Sequence, residues 1–262
     1  MIIFGKQPVL YAITHHKDKI QEIYVAKQLP KEIFSTLKSA NKPIIVLDNK
    51  KAQALAHGRN HQGIFAKITP LNPTPLSMVK GFENLLMLVG LSDVGNIGSI
   101  IRSAYCLGAC GVILAQSNLH QNAIEGIVRS SSGALLDIPF CIIPNAFDCL
   151  NELKMANFAL LGADVAGENV VKIRQSLTQV CKKNAQKLPE IDTIGILQST
   201  PLQTAQDERL QKWVLCVGSE GDGLSEKFLQ RMDLRVCVRI KRDFDSLNVA
   251  HATIILLDRL LN

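Results

Sequence analysis

Two stretches of the chain run an apolar strand into a glycine-rich turn and on into a helix, and this pattern restricts the fold more than any other feature. The first is LLMLVG followed by DVGNIGSIIRSAYCLGACGVIL, Asp93 to Leu114. The second contains CVGSEGDGL, Cys216 to Leu224, with three glycines in six positions. Such a strand–turn–helix unit is half of a βαβ crossover, and repeated units require a parallel sheet. Apolar runs at Leu85–Val89, Val112–Leu114, Trp213–Val217 and Leu234–Val238 predict strands, with further apolar segments at Pro139–Ile143 and Phe158–Ala163. Helical spacing falls at Ile97–Leu107, near Ala123–Arg129, at Ser225–Met232 and at Leu247–Leu260. The polar, Lys- and Gln-rich stretch from about 169 to 211 breaks this rhythm and reads as an insertion.

A smaller α/β module precedes this one. Pro8–Ile13 reads as a helical turn, Glu22–Ala26 as a strand, Lys31–Lys38 as a helix, Ile44–Leu47 as a strand, Lys50–Ala56 as a short helix and Ile64–Ile68 as a strand. Pro70, Pro73 and Pro75 then suit neither helix nor inner strand and predict a linker. The division expected is a domain over 1–69, a linker over 70–80 and a second domain over 81–262. Charge changes at the same place. Residues 1–80 carry twelve Lys and Arg against four Asp and Glu, net +8, whereas residues 81–262 carry seventeen against nineteen, net −2. A basic module beside a near-neutral one fits either a polyanion-binding surface or a Lys-rich solubilising one.

No apolar run reaches membrane-spanning length, and the opening MIIFGKQPVL shows no secretion signal. The seven cysteines form no CxxC pair and sit mostly in apolar surroundings, as expected of reduced thiols in a cytoplasmic protein with neither a disulfide framework nor a metal site.

Three constellations hold candidate chemistry. Arg102 lies among Ile100, Ile101 and Ala104 on a helix, so its guanidinium must find a cleft, a partner or a rim position. The Gly218–Gly223 loop allows a ligand to approach bare backbone, while Glu220 and Asp222 would repel a pyrophosphate. Ser246 is the expected N-cap of the last helix, on which His251 and Asp258 read as an exposed polar stripe.

Taken in order, these blocks resemble the three motifs of the SpoU-type ribose 2′-O-methyltransferases of the SPOUT class. The matching residues are Asn96, Gly98, Arg102 and Ala104, then Gly218, Glu220, Gly221, Gly223 and Leu224, then Ser246, Leu247, Asn248 and Val249. Gly5–Leu10, Ile23–Val25 and Asn60–Ile68 resemble the ribosomal-protein-L30e-like substrate-binding domain that precedes the catalytic domain in many of these enzymes. The resemblance implies a parallel-sheet SPOUT domain with a deep trefoil knot, involving the Gly218–Leu224 loop and the segment from about Val238 into the last helix. It also implies a homodimer, S-adenosyl-L-methionine as cofactor, RNA as partner and no metal. Arg102 would be the catalytic residue, with Asn96, Glu220, Ser246 and Asn248 in support. Gly218, Ser219, Glu220, Gly221, Gly223, Ile240, Leu247 and Asn248 would hold the cofactor. The basic module favours a guanosine of 23S rRNA as substrate; tRNA is the alternative within the enzyme class. A non-catalytic RNA-binding or ribosome-assembly factor is the alternative outside it. Two departures from the family stand out: the charged approach RIKRDFD before Ser246, and His251 where a small or apolar residue is usual.

Overall fold

A computed structural model describes residues 1–116, 119, 121–185 and 212–262. In chain order the first elements are β1 (Ile2–Phe4), α1 (Lys6–His15), β2 (Ile20–Val25), α2 (Lys31–Lys38), β3 (Ile44–Val46), α3 (Asn49–Leu55) and β4 (Ile64–Ile68). There follow α4 (Leu76–Val79), β5 (Asn84–Val89), α5 (Val94–Leu107), β6 (Gly111–Ala115), α6 (Gln121–Ser130), β7 (Phe140–Ile143) and α7 (Ala146–Met155). The rest comprises β8 (Ala159–Asn169), α8 (Ile173–Ala185), β9 (Trp213–Val217), α9 (Glu226–Leu229), β10 (Leu234–Cys237) and α10 (Val249–Leu261).

The chain forms two compact units that do not follow one cut in the sequence. Residues 1–74, 92–106 and 118–140 make the first; residues 75–91, 107–117 and 141–262 make the second. In the first unit, β1, β4, β2 and β3 form a four-stranded sheet in that order, with β1–β4 and β2–β4 antiparallel and β2–β3 parallel. Helix α6 is tied to this sheet by identifiable bonds. Glu125 Oε1 accepts the Ile2 N–H at 2.9 Å, Arg129 Nη2 donates to Asn60 O at 3.0 Å, and the Arg129 guanidinium lies 5.1 Å from the centre of the Phe4 ring.

In the second unit the sheet order is β10-β8-β9-β5-β6-β7, with parallel ladders between β10 and β8, β8 and β9, β9 and β5, and β5 and β6. Strands β5 and β9 are apolar at every buried position because both faces are covered, which is why their sequences read as continuous runs rather than alternations. Leu85, Met87, Val214 and Cys216 share a core with Phe158 and Phe228. Burial pushes the Cys149 thiol up to about 12 and the Cys181 thiol up to about 11, so these cysteines behave as small apolar side chains.

The expected strands and helices recur with shifted ends, and α5 starts three residues early because Asp93 Oδ1 accepts the Asn96 N–H at 2.6 Å. The expected helix over Ser225–Met232 is shorter, at Glu226–Leu229. The polar stretch is in part regular structure: Asn169 ends β8, and Ile173–Ala185 is helix α8. Residues 186–211 of that stretch lie outside the described residues.

One contact fixes α5 against α6. A Cβ on Gly98 would fall 1.9 Å from Ser130 Oγ and 2.8 Å from the Ser130 carbonyl carbon, so the two helices meet where residue 98 has no side chain. Gly98→Ala gains at most about 1 kcal/mol of helix propensity. It forces overpacking that costs about 1–3 kcal/mol, and backbone cannot rotate out of the way. The variant is expected to unfold at lower urea concentration; an unchanged midpoint would show that the helices separate freely.

Candidate functional site: a glycine-loop cavity and an arginine clamp

Within the second unit a cavity of about 420 Å³ opens beyond the ends of β9 and β10. Ligands of open α/β sheets usually bind at this end of the strands. The loop after β9 contributes Gly218, Ser219, Glu220, Gly221 and Gly223. The chain after β10 contributes Ile240, and the approach to α10 contributes Ser246, Leu247 and Asn248. All the sequence-predicted cofactor residues therefore line one space.

The loop shape follows from its glycines. A Cβ on Gly218 would fall 2.1 Å from the Gly223 carbonyl carbon and 2.4 Å from Leu224 N, so any side chain there blocks closure. Gly223 N donates back to Ser219 O at 3.0 Å. Gly221 and Gly223 adopt φ of 93° and 64°, left-handed values that other residues adopt only with strain. Ser225 then caps α9 by accepting the Phe228 N–H at 3.4 Å.

The last helix is capped differently from expectation. Asn248, not Ser246, is the N-cap: its Oδ1 accepts the N–H of Ala250 at 2.9 Å and of His251 at 3.4 Å, and the helix starts at Val249. Both residue types cap well, and the local sequence could not choose between positions two apart. Ser246 instead lines the cavity from the extended approach, within a segment exposed from Lys241 to Asn248. His251 is exposed and Asp258 partly so, as a polar stripe requires.

A third wall was not legible in the sequence. The β8–β10 register jumps from Arg235 opposite Gly162 to Val236 opposite Glu168, so residues 163–167 leave that ladder. Ala163, Asp164 and Val165 from this stretch line the cavity. The run of polar and small residues after Ala163 looks like a loop, which is why the apolar pattern stopped short.

The cavity has an acidic character. Asp164, Glu220 and Asp222 line it, and among the described residues its lining includes no Lys, Arg or His. Arg235 pairs with Asp164 at 3.5 Å and with Glu226 at 2.8 Å, and its hydrogen bond to Glu226 above all holds it more firmly protonated than an ordinary arginine. The space suits a neutral or cationic ligand better than a phosphate.

Asn96 and Arg102 belong to the first unit, both on α5. Arg102 is exposed, and its Nη1 donates to Ser132 Oγ at 3.2 Å. Ser132 holds a left-handed φ of 56° and is followed by Gly133 at 101°. The three serines before that glycine do different work. Ser130 Oγ donates to Val94 O at 2.7 Å, tying down the first turn of α5. Ser131 is buried, donates to Val128 O at 3.2 Å and accepts the Leu135 N–H at 3.3 Å. Ser132 reaches Arg102. Nothing in a run of serines marks these roles, because Val94 and Arg102 are distant in sequence.

Fold and cavity together define an α/β protein with a glycine loop at the strand ends lining a cavity of small-molecule size. The SpoU rRNA Methylase family matches residues 83–258, and the substrate-binding domain of RNA 2′-O ribose methyltransferases matches residues 2–74. An uncharacterized tRNA/rRNA methyltransferase of Synechocystis is 24% identical over 97% of this chain, which spans 60% of that protein's length. The 23S rRNA (guanosine-2′-O-)-methyltransferase RlmB of Bordetella pertussis is 24% identical over 98% of this chain and 94% of its own. The SpoU methyltransferase AviRb of Streptomyces viridochromogenes, solved with its cofactor AdoMet, shares the fold with a TM-score of 0.69, at 21% identity over 100% of this chain and 89% of its own. The chain belongs to the SpoU family of RNA methyltransferases.

The contribution of the Asn248 cap to stability can be measured on its own. Asn248→Ala is expected to lower unfolding stability by about 1 kcal/mol, and Asn248→Ser to restore most of it. Equal stabilities for the Ala and Ser variants in urea denaturation would show that the cap contributes little.

Proposed function

We propose that the chain transfers a methyl group from S-adenosyl-L-methionine to a ribose 2′-hydroxyl of RNA. The observation that carries this reading is the acidic cavity, where bare loop backbone and three carboxylates suit a cationic nucleoside. At about 420 Å³ its volume lies within the range of small-molecule sites. Backbone groups of Gly218, Ser219, Gly221 and Gly223, with those near Ile240 and Leu247, would hold the adenosine and methionine parts. Glu220 would lie near the positive charge. The bound cofactor supplies an electrophilic methyl group on a sulfonium.

The protein's remaining task is to orient the hydroxyl and make a weak acid nucleophilic. Arg102 is our candidate. Arginine keeps its proton at accessible pH, so stabilising the developing alkoxide asks less of it than acting as a neutral base. Its hydrogen bond to Ser132 supports this role by fixing the guanidinium on an otherwise exposed helix face. Asn96 would support Arg102 from the same helix, and Ser246 and Asn248 would support the ligand in the cavity they line. We further propose a homodimer, and a trefoil knot threading the chain between Val238 and α10. Sedimentation as a monomer would remove the first, and an experimental chain trace outside the loop the second.

Arg102→Ala is expected to reduce methyl transfer by at least about a hundredfold, the scale of a lost charge-stabilising donor. Calorimetric binding of S-adenosyl-L-methionine should be unchanged. Methylation at the normal rate would remove Arg102 from the chemistry.

For the substrate we propose a guanosine of 23S rRNA, supported by the name of the Bordetella relative and by the basic first eighty residues. Mapping ribose methylation in cells with and without the gene is expected to show one guanosine lost from 23S rRNA. Loss from tRNA alone would make the tRNA reading the right one, and no loss in either would leave a binding factor.

A further inference from the structure

In the first unit a second cleft of about 450 Å³ is lined by Arg59, Val94, Gly95, Gly126, Arg129 and Ser130. Two guanidiniums border it, and among the described residues neither pairs with a carboxylate. The carboxylates nearby are engaged elsewhere. Asp93 accepts the Asn96 N–H at 2.6 Å, and Glu125 accepts the Ile2 N–H at 2.9 Å. Because Asp93 offsets the positive end of α5, the cleft's field comes from the two arginines rather than from the helix.

Both arginines are built into the cleft. Arg129 is half-buried, with one Nη2 bond to Asn60 O at 3.0 Å and its face over Phe4, so its remaining donors keep a fixed direction. Arg59 lies over the backbone of α6: its Nη1 would be 3.2 Å from a Cβ on Gly126, and the missing side chain leaves it room. Like charges around one opening repel when no ion pair offsets them, and planar guanidinium groups match the oxygens of a phosphate.

We infer that this cleft binds a backbone phosphodiester of the substrate RNA. The inference rests on the methyltransferase reading and adds a binding site to it. Along α5 the exposed residues Gly95, Ser99, Arg102 and Cys106 recur at helical spacing and form one open stripe. Seven residues separate Gly95 from Arg102, about 10 Å of helix. A phosphate held at Arg59 and Arg129 therefore flanks the ribose presented to Arg102, and sets the register of the strand without reading its bases.

The test uses the full chain and a radiolabelled transcript of 23S rRNA, measured by filter binding between about 50 and 200 mM salt. Arg59→Gln is expected to weaken binding about tenfold and to flatten the salt slope of log K by about 0.7–1. Arg59→Lys, which keeps the charge, should recover most of the slope. Thermal unfolding and S-adenosyl-L-methionine binding should match the parent. Unchanged affinity and slope in Arg59→Gln would overturn the inference, as would weaker binding with an unchanged slope and a lower melting temperature, the signature of a structural brace. A parent protein that transfers no methyl group, yet binds the transcript with Arg59-dependent slope, would support the cleft and sink the methyltransferase reading instead.

Discussion

Closure of the loop after β9 depends on the hydrogen at residue 218, since a Cβ there would overlap the Gly223 carbonyl carbon at 2.1 Å. Once closed, the loop presents its glycine backbone to the cavity. It also carries Glu220 and Asp222 to the same rim, where Asp164 arrives from the stretch of β8 that leaves its ladder. The three walls have separate causes: a glycine contact, a register jump and a capped helix. The loop supplies two of the cavity's three carboxylates and the β8 stretch the third, while the capped helix adds an uncharged wall.

A comparable constraint governs α5 in the first unit. Gly98 admits the Ser130 backbone, and Ser130 then bonds Val94, so the helix is pinned both at its middle and at its first turn. Pinning matters because Arg102 has one hydrogen bond to a strained serine and is otherwise exposed. A left-handed serine costs of order 1–3 kcal/mol, and here the next residue, Gly133, absorbs the reversal of the chain at 101°. A long side chain keeps its geometry better when both its helix and its partner are held.

Sequence pattern was sufficient wherever structure followed from local chemistry. Continuous apolar runs marked β5 and β9 because both faces are buried, and the glycine turns marked the loops that follow them. It failed where a decision depended on distant residues. Helix α7 was missed although Asn145 caps it by accepting the Phe147 N–H at 3.0 Å; its apolar residues Ala146, Cys149, Leu150 and Leu153 are spaced for a helix but mixed with polar ones. β8 continues to Asn169 because β10 resumes pairing at Glu168. The roles of Ser130 and Ser132 are set by Val94 and Arg102, some thirty residues away. The cavity-lining residues were legible from their motifs, while the cap at Asn248 and the bond from Arg102 to Ser132 were not.

The charge division gains meaning from these two places. The cavity holds carboxylates without a basic lining residue among those described, and the cleft holds arginines without a paired carboxylate. Exposed charges are screened over about 8 Å at physiological ionic strength, so each place keeps its own sign despite a net charge of +6 for the whole chain. A methyl donor that is cationic and an acceptor that is a polyanion need opposite fields. An arginine moved into the cavity would oppose the sulfonium, and a free carboxylate in the cleft would oppose the phosphate. Net charge alone therefore carries little functional information here. A partition of charge between an acidic cavity and a basic cleft would let one chain attract both proposed reactants.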